Sequence, residues 1–135
     1  MNTLMKTVQV SIVIPFKIEG DVLSIWMQRR ESSDELNGLL EFPGGKVEKE
    51  ETPFDAAIRE VQEETGVGLE TARLKPNMTY KSSFKDKTVV LNIFTYKSHG
   101  EFASGWYKVE EIDRYFDDIP PANKKFLKDV IKSIS

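Results

Sequence analysis

Cysteine is absent from the chain's 135 residues, and histidine occurs once, at His99. The first absence excludes a disulfide framework and any thiolate metal site, and the two together leave too few ligands for a zinc cage. A metal held by this chain would therefore be held by oxygen. Long hydrophobic runs are missing as well, since no stretch approaches the ~20 apolar residues that a membrane-spanning helix needs. Residues 1–6 lack the basic segment and apolar block of a secretory signal, so the expectation is a cytoplasmic protein with no membrane association. Positive charge is not in excess either. At a net charge of −3 the chain has no general attraction for nucleic acid. Two local lysine clusters remain, Lys81, Lys85 and Lys87 in one segment and Lys124, Lys125 and Lys128 in another, and each reads most simply as a solvated face.

Repeats, low-complexity stretches and linkers rich in Gly, Ser or Pro do not occur, so one domain is expected over residues 1–135. A chain of this length buries roughly two-thirds of the surface its unfolded form exposes. Its 39% hydrophobic and 30% charged residues suit a globular fold rather than disorder. Residues 8–16 are β-branched and apolar enough for a buried strand, and residues 22–27 read as its hairpin neighbour across Glu19-Gly20-Asp21. Residues 88–96 form another strand-like run and residues 105–109 a shorter one, whereas residues 69–81 carry no clear signal.

Two helices are expected among these strands. The first starts at Thr52-Pro53, a hydroxyl cap followed by proline at the first helical position, and ends at Thr65-Gly66, where glycine can turn left-handed. The second is expected to begin near Asn123, itself a good cap, placing Phe126, Leu127, Val130, Ile131 and Ile134 on one face. The expected architecture is α/β, with a mixed sheet packed between helices.

On the first helix, Phe54, Ala57, Ile58 and Val61 share an apolar stripe, while Glu60, Glu63 and Glu64 gather on another side. Like charges four apart destabilise a helix by about 0.2–0.5 kcal/mol, so the cluster works against the helix unless something positive covers it. A hard divalent cation would do so, since magnesium favours oxygen ligands. The three glutamates alone equally suit a solvated acidic face. The loop Glu41-Phe42-Pro43-Gly44-Gly45-Lys46 just before the helix changes that balance, because paired glycines permit a sharp turn or a close approach.

Together, Gly45, Glu51, Arg59, Glu60, Val61, Glu63, Glu64, Gly66 and Val67 fill every fixed position of G-x5-E-x7-R-E-U-x-E-E-x-G-U, where U is a bulky aliphatic residue. Average composition would produce such a match in roughly one chain in 10⁸ of this length. The pattern is the Nudix box, and the chain resembles the Nudix hydrolase superfamily, in particular its MutT branch. Paired Arg29-Arg30 and the run Pro120-Pro121-Ala122-Asn123 extend the likeness over most of the chain.

The resemblance implies an α/β/α Nudix sandwich. It also implies hydrolysis of purine nucleoside triphosphates, oxidised ones such as 8-oxo-dGTP or dGTP, to the monophosphate and pyrophosphate. Mg2+ would be the cofactor, with Mn2+ able to substitute. Glu60, Glu63 and Glu64 would hold the cation together with the Gly44 carbonyl, while Glu51 and Arg59 would organise loop and helix. Glu60 and Glu101 are the two candidates for the base that takes the proton of the attacking water. Lys46 would approach the phosphates. Asn123, able to donate and accept at once, would read the purine edge, with Arg30, Phe42, Phe84 and Asp86 as further substrate contacts. One departure is Glu35, which stands where MutT carries a histidine near the substrate mouth.

Two other readings accompany this one. The same box can remove pyrophosphate from the 5′-triphosphate end of RNA, with the lysine clusters holding the following nucleotides. A domain that only binds nucleotides, as a sensor, would show gaps among the carboxylates, and this box has none. No stable protein partner is evident from the sequence.

Overall fold

Continuous burial along the first long strand requires two covering layers. Ser11 to Pro15 are all buried, which requires cover on both faces of the strand. The computed structural model, which describes residues 6–84 and 86–134 except the side chains of Phe84 and Ala122, supplies that cover with one helix on each side.

Strand β1 (Lys6–Glu19) is the spine, and β2 (Val22–Trp26) folds back on it antiparallel, with Glu19 opposite Val22. Gly20, at φ +63°, takes the left-handed conformation this tight turn needs. Short β3 (Gln28–Arg29) and β4 (Leu40–Glu41) form a separate antiparallel pair. Then β5 (Gly44–Lys46) returns to β1 opposite Val10 to Ile12. Beyond helix α1 (Pro53–Thr65), β6 (Leu74–Phe84), β7 (Lys87–Lys97) and β8 (Trp106–Lys108) complete the main sheet in the order β6-β7-β1-β2-β8. Among the described residues only β1 and β7 pair in parallel, so the sheet is mixed, as expected.

The two faces hold separate cores. Ala57 and Val61 of α1 pack with Val13, Trp26, Phe94 and Tyr96 on one side. Phe126, Leu127 and Val130 of α2 (Pro121–Ile134) pack with Ile12, Ile14, Ile25 and Ile93 on the other. The architecture is the expected α/β/α sandwich. Helix α1 matches its sequence signals: the Thr52 hydroxyl accepts the Asp55 amide at 3.1 Å, Pro53 opens the helix, and Gly66 closes it at φ +78°.

Helix α2 begins two residues earlier than expected, at Pro121, so Asn123 lies inside its first turn and is not its cap. Proline is well suited to that opening position because its missing amide would have no helical partner there. The Asn123 amide instead donates to the Pro120 carbonyl at 2.9 Å. The segment Val109–Asp118 forms a 3-10 helix whose Val109, Ile112 and Tyr115, spaced three apart, lie against the α2-side core. Among the described residues, no helix is long and apolar enough to cross a membrane.

Candidate active site

Strand β1 fixes the glycine loop by backbone pairing. Ile12 faces Gly44, Ser11 faces Gly45, and the Val13 amide donates to the Pro43 carbonyl at 3.0 Å. A Cβ on Gly44 would run into the Ser11 carbonyl oxygen, and one on Gly45 into the Glu60 carboxylate. Both positions therefore need glycine for close approach, the first to a strand and the second to a functional side chain. Helix α1 is tied to the same strand by the Ser11 hydroxyl, which donates to the Pro53 carbonyl at 2.7 Å.

Arg59 is the hub of the polar network beside this loop. Its guanidinium grips Glu51 with two bonds, Nε to Oε2 at 2.8 Å and Nη2 to Oε1 at 3.0 Å, and donates to the Lys46 carbonyl at 3.0 Å. Nη1 reaches Glu60 at 2.8 Å and both oxygens of Glu63 at 3.3 Å. One residue thus fastens the end of β5, the loop ahead of α1 and two of the three clustered glutamates. The Arg59 guanidinium and the Glu48 amide hold the Glu51 carboxyl down at about 2 despite its partial burial, and Glu51 in turn raises Arg59 above its ordinary range.

Glu64 is held differently. Its oxygens accept the Gln28 side-chain amide at 2.9 Å and the Gly44 backbone amide at 3.0 Å. Burial pushes its carboxyl up to about 7, with Gly44 and Gln28 pulling the other way and neighbouring Glu60 adding to the rise. The residue as a whole retains solvent access, yet its carboxylate is set into the protein surface beside Glu60.

These donors are all oxygen, which fits a hard divalent cation. The fit is chemical rather than preset. Among the described residues, no three acidic or histidine side chains stand together in a metal-holding arrangement. Glu60 and Glu63 face Arg59, and Glu64 faces Gln28 and Gly44. Glu63, with its side chain 59% exposed and its Arg59 contacts long, is the carboxylate most easily released.

The other expected site residues are scattered. Lys46 is exposed, and Arg30 is engaged by Ser32, Asp34 and Glu41 beside the β3–β4 pair. Phe42 is buried against Phe126, with ring centres 6.3 Å apart, so it supports α2 from within the core rather than forming an open wall. Asp86 is exposed in the β6–β7 turn, where its carbonyl accepts the Lys6 amide at 3.1 Å. Gly44–Lys46 lie farther along β1, against Val10 to Ile12. The Phe84 side chain and Lys85 lie outside the described residues, and Asn123 is half-buried on the first turn of α2. Glu101 is bound by Arg73, Tyr96, Ser98 and His99. It borders a hollow of about 260 Å3 that Gln28 and Glu64 also line.

Sequence reasoning missed Gln28 and Glu48. Glu48 lies 3.7 Å from Arg59 and donates its amide to Glu51 at 2.9 Å. Its spacing of three from Glu51 could have flagged that local bond, whereas Gln28 reaches Glu64 only through the fold.

Residues 5–130 match the NUDIX domain family. The 8-oxo-dGTP diphosphatase of Escherichia coli strain K12 is 32% identical over 128 residues, covering 89% of this chain and 93% of that protein. The 8-oxo-dGTP diphosphatase of Haemophilus influenzae is 29% identical over 129 residues, with 90% of each chain covered. A solved structure from work on MutT of Aliivibrio salmonicida and Vibrio cholerae has a TM-score of 0.72 at 24% identity, covering 95% of this chain and 99% of its own, a likeness of fold.

Proposed function

Because the chain belongs to the Nudix family and is a hydrolase of phosphoric anhydride bonds, we propose that it converts purine nucleoside triphosphates, oxidised ones such as 8-oxo-dGTP or dGTP, to the monophosphate and pyrophosphate with Mg2+. The substrate reading is carried by likeness to two 8-oxo-dGTP diphosphatases over about nine-tenths of the chain. The reaction class is supported by the placement of Glu60 and Glu63 on Arg59, of Glu64 on the Gly44 amide and of Gly45 against the Glu60 carboxylate.

Glu60, Glu63 and Glu64 would hold the cation, with the Gly44 carbonyl, and Mn2+ would substitute for Mg2+. Such a cation offsets phosphate charge and makes bound water more acidic. The protein's own residues supply placement. Arg59 keeps Glu60 close to the glycine loop, Gly45 leaves room for that carboxylate, and Lys46 offers a flexible ammonium to the phosphates. Asn123 would read the purine edge by donating and accepting together.

Turnover of 8-oxo-dGTP, dGTP and a 5′-triphosphorylated RNA, each with Mg2+, tests this reading. The expected result is preference for 8-oxo-dGTP, with pyrophosphate as product. Faster turnover of the RNA end would replace the substrate reading, and binding without turnover of any of the three would favour a sensor.

A further inference from the structure

Glu101 stands at the centre of a polar cluster outside the Arg59 group. Its Oε2 accepts the Arg73 guanidinium and the Tyr96 hydroxyl, the latter at 2.9 Å, while its Oε1 accepts the His99 amide and the Ser98 hydroxyl, the latter at 3.3 Å. An ionised carboxylate offers about four lone-pair sites, and here each oxygen has two donors. Protein donors thus engage both oxygens of the carboxylate. Arg73 is as fully used, donating also to Glu70 and to the Lys97 carbonyl, each at 2.7 Å, with its guanidinium 4.7 Å from the centre of the Tyr96 ring. The Tyr96 hydroxyl accepts the Glu70 amide at 3.0 Å.

The cluster joins the turn after α1, the end of β7 and the loop of residues 98–104. From that loop, Glu101, Phe102, Ala103 and Ser104 form part of the wall of the hollow next to Glu64. The Trp26 indole ties the same wall to β2 by donating to the Ser104 carbonyl at 2.9 Å.

We propose that Glu101 is a positioning residue rather than the proton acceptor: with Arg73 and Tyr96 it clamps loop 98–104 into the wall beside Glu64. This rests on the hydrolytic reading above. Burial pushes the Glu101 carboxyl up, but Arg73, the His99 amide, its own amide and Tyr96 outweigh that and hold it at about 2, which also makes it a weak base near neutrality.

The test compares Arg73→Met, Glu101→Gln, the double variant and Arg73→Lys with wild type. Turnover of 8-oxo-dGTP with Mg2+ is followed across pH, and hydrogen exchange of the 98–104 amides is measured separately. Because the glutamine amide brings a donor among donors, Glu101→Gln opens the clamp just as Arg73→Met does. Arg73→Met and Glu101→Gln are each expected to raise KM about tenfold while kcat stays within about threefold, the pattern of lost substrate fit. The double variant should be no worse than the poorer single, because both break one unit. Exchange in the loop should accelerate in all three, Arg73→Lys should recover part of the KM change, and Glu101→Gln should keep the acid limb of the kcat profile. A kcat loss of about 10²–10⁴-fold in Glu101→Gln, with that limb gone and Arg73→Met still turning over, would identify Glu101 as the base and overturn the proposal. Unchanged loop exchange in Arg73→Met would overturn it as well. If wild type turns over no nucleoside triphosphate, the hydrolytic reading fails for these substrates, while the exchange measurement still decides the clamp.

Discussion

Arg59 and Glu51, eight positions apart, form a two-bond pair at 2.8 and 3.0 Å that fastens the loop ahead of α1 to the helix itself. The same guanidinium holds the Lys46 carbonyl and Glu60, so the pair sets the distance between the glycine loop and the acidic side of the helix. Glu51→Gln should lower kcat/KM by about 10–100-fold, since a displacement of about 1 Å in a catalytic group costs on that order. Arg59→Lys should do the same, because an ammonium lacks the fork that spans both oxygens. Steady-state kinetics of the two variants checks this, and wild-type kcat/KM in either would refute the assigned role.

The two loop glycines should fail in different ways. Alanine at position 44 drives its Cβ into the Ser11 carbonyl, a backbone atom held by strand pairing, and should destabilise the fold by about 1–3 kcal/mol. Alanine at position 45 meets the carboxylate end of Glu60, which can swing aside. Gly45→Ala should therefore keep a near-normal urea midpoint while kcat/KM falls at least about tenfold. Equal losses of stability in the two variants would contradict this division.

Acid should weaken the fold through two glutamates. Glu51 and Glu101 are both held at about 2, against an ordinary value of 4.5. Above 4.5 both are ionised in folded and unfolded chains alike, and their contribution to stability is complete. As pH falls from 4.5 towards 2 the unfolded chain takes up protons first, so that contribution is progressively lost. Urea midpoints of the metal-free protein should drop across this window, and Glu51→Gln should show a shallower drop because one of the two groups no longer titrates. Parallel profiles for wild type and Glu51→Gln would show that the pair does not couple to folding.

Helix α1 was legible because every signal in it is local: Thr52, Pro53 and Gly66 mark its ends, and the Phe54, Ala57, Ile58 and Val61 stripe marks its inner face. Strand β6 was not. It is an edge strand of mostly polar residues carrying Pro76, and edge strands bury too little to advertise themselves. A bulge between Pro76 and Met78 also breaks its alternation, so that Leu74 joins the α1-side core whereas Met78 and Tyr80 join the α2-side core. The site shows the same contrast. Glu51 with Arg59 follows from the motif, but Gln28 with Glu64 and Arg73 with Glu101 are contacts across 36 and 28 positions that only the folded sheet creates.

Mg2+ should stabilise the native protein through Glu63 as well as support turnover. A ligand that binds only the folded state raises stability by RT ln(1 + [L]/Kd), about 2.7 kcal/mol at a hundred times Kd. Taking up the cation requires Glu63 to leave its two 3.3 Å contacts with Arg59, an exchange favoured by its exposure and by the tighter grip of Glu51 on the same guanidinium. The unfolding temperature of wild type should thus rise with added Mg2+ and fall back with a chelator. Glu63→Gln removes one charge from the patch without disturbing the Glu51 pair, so it should unfold near the metal-free wild-type temperature and respond far less to Mg2+. A full Mg2+ response in Glu63→Gln would remove this residue from the ligand set and leave Glu60 and Glu64 to hold the cation.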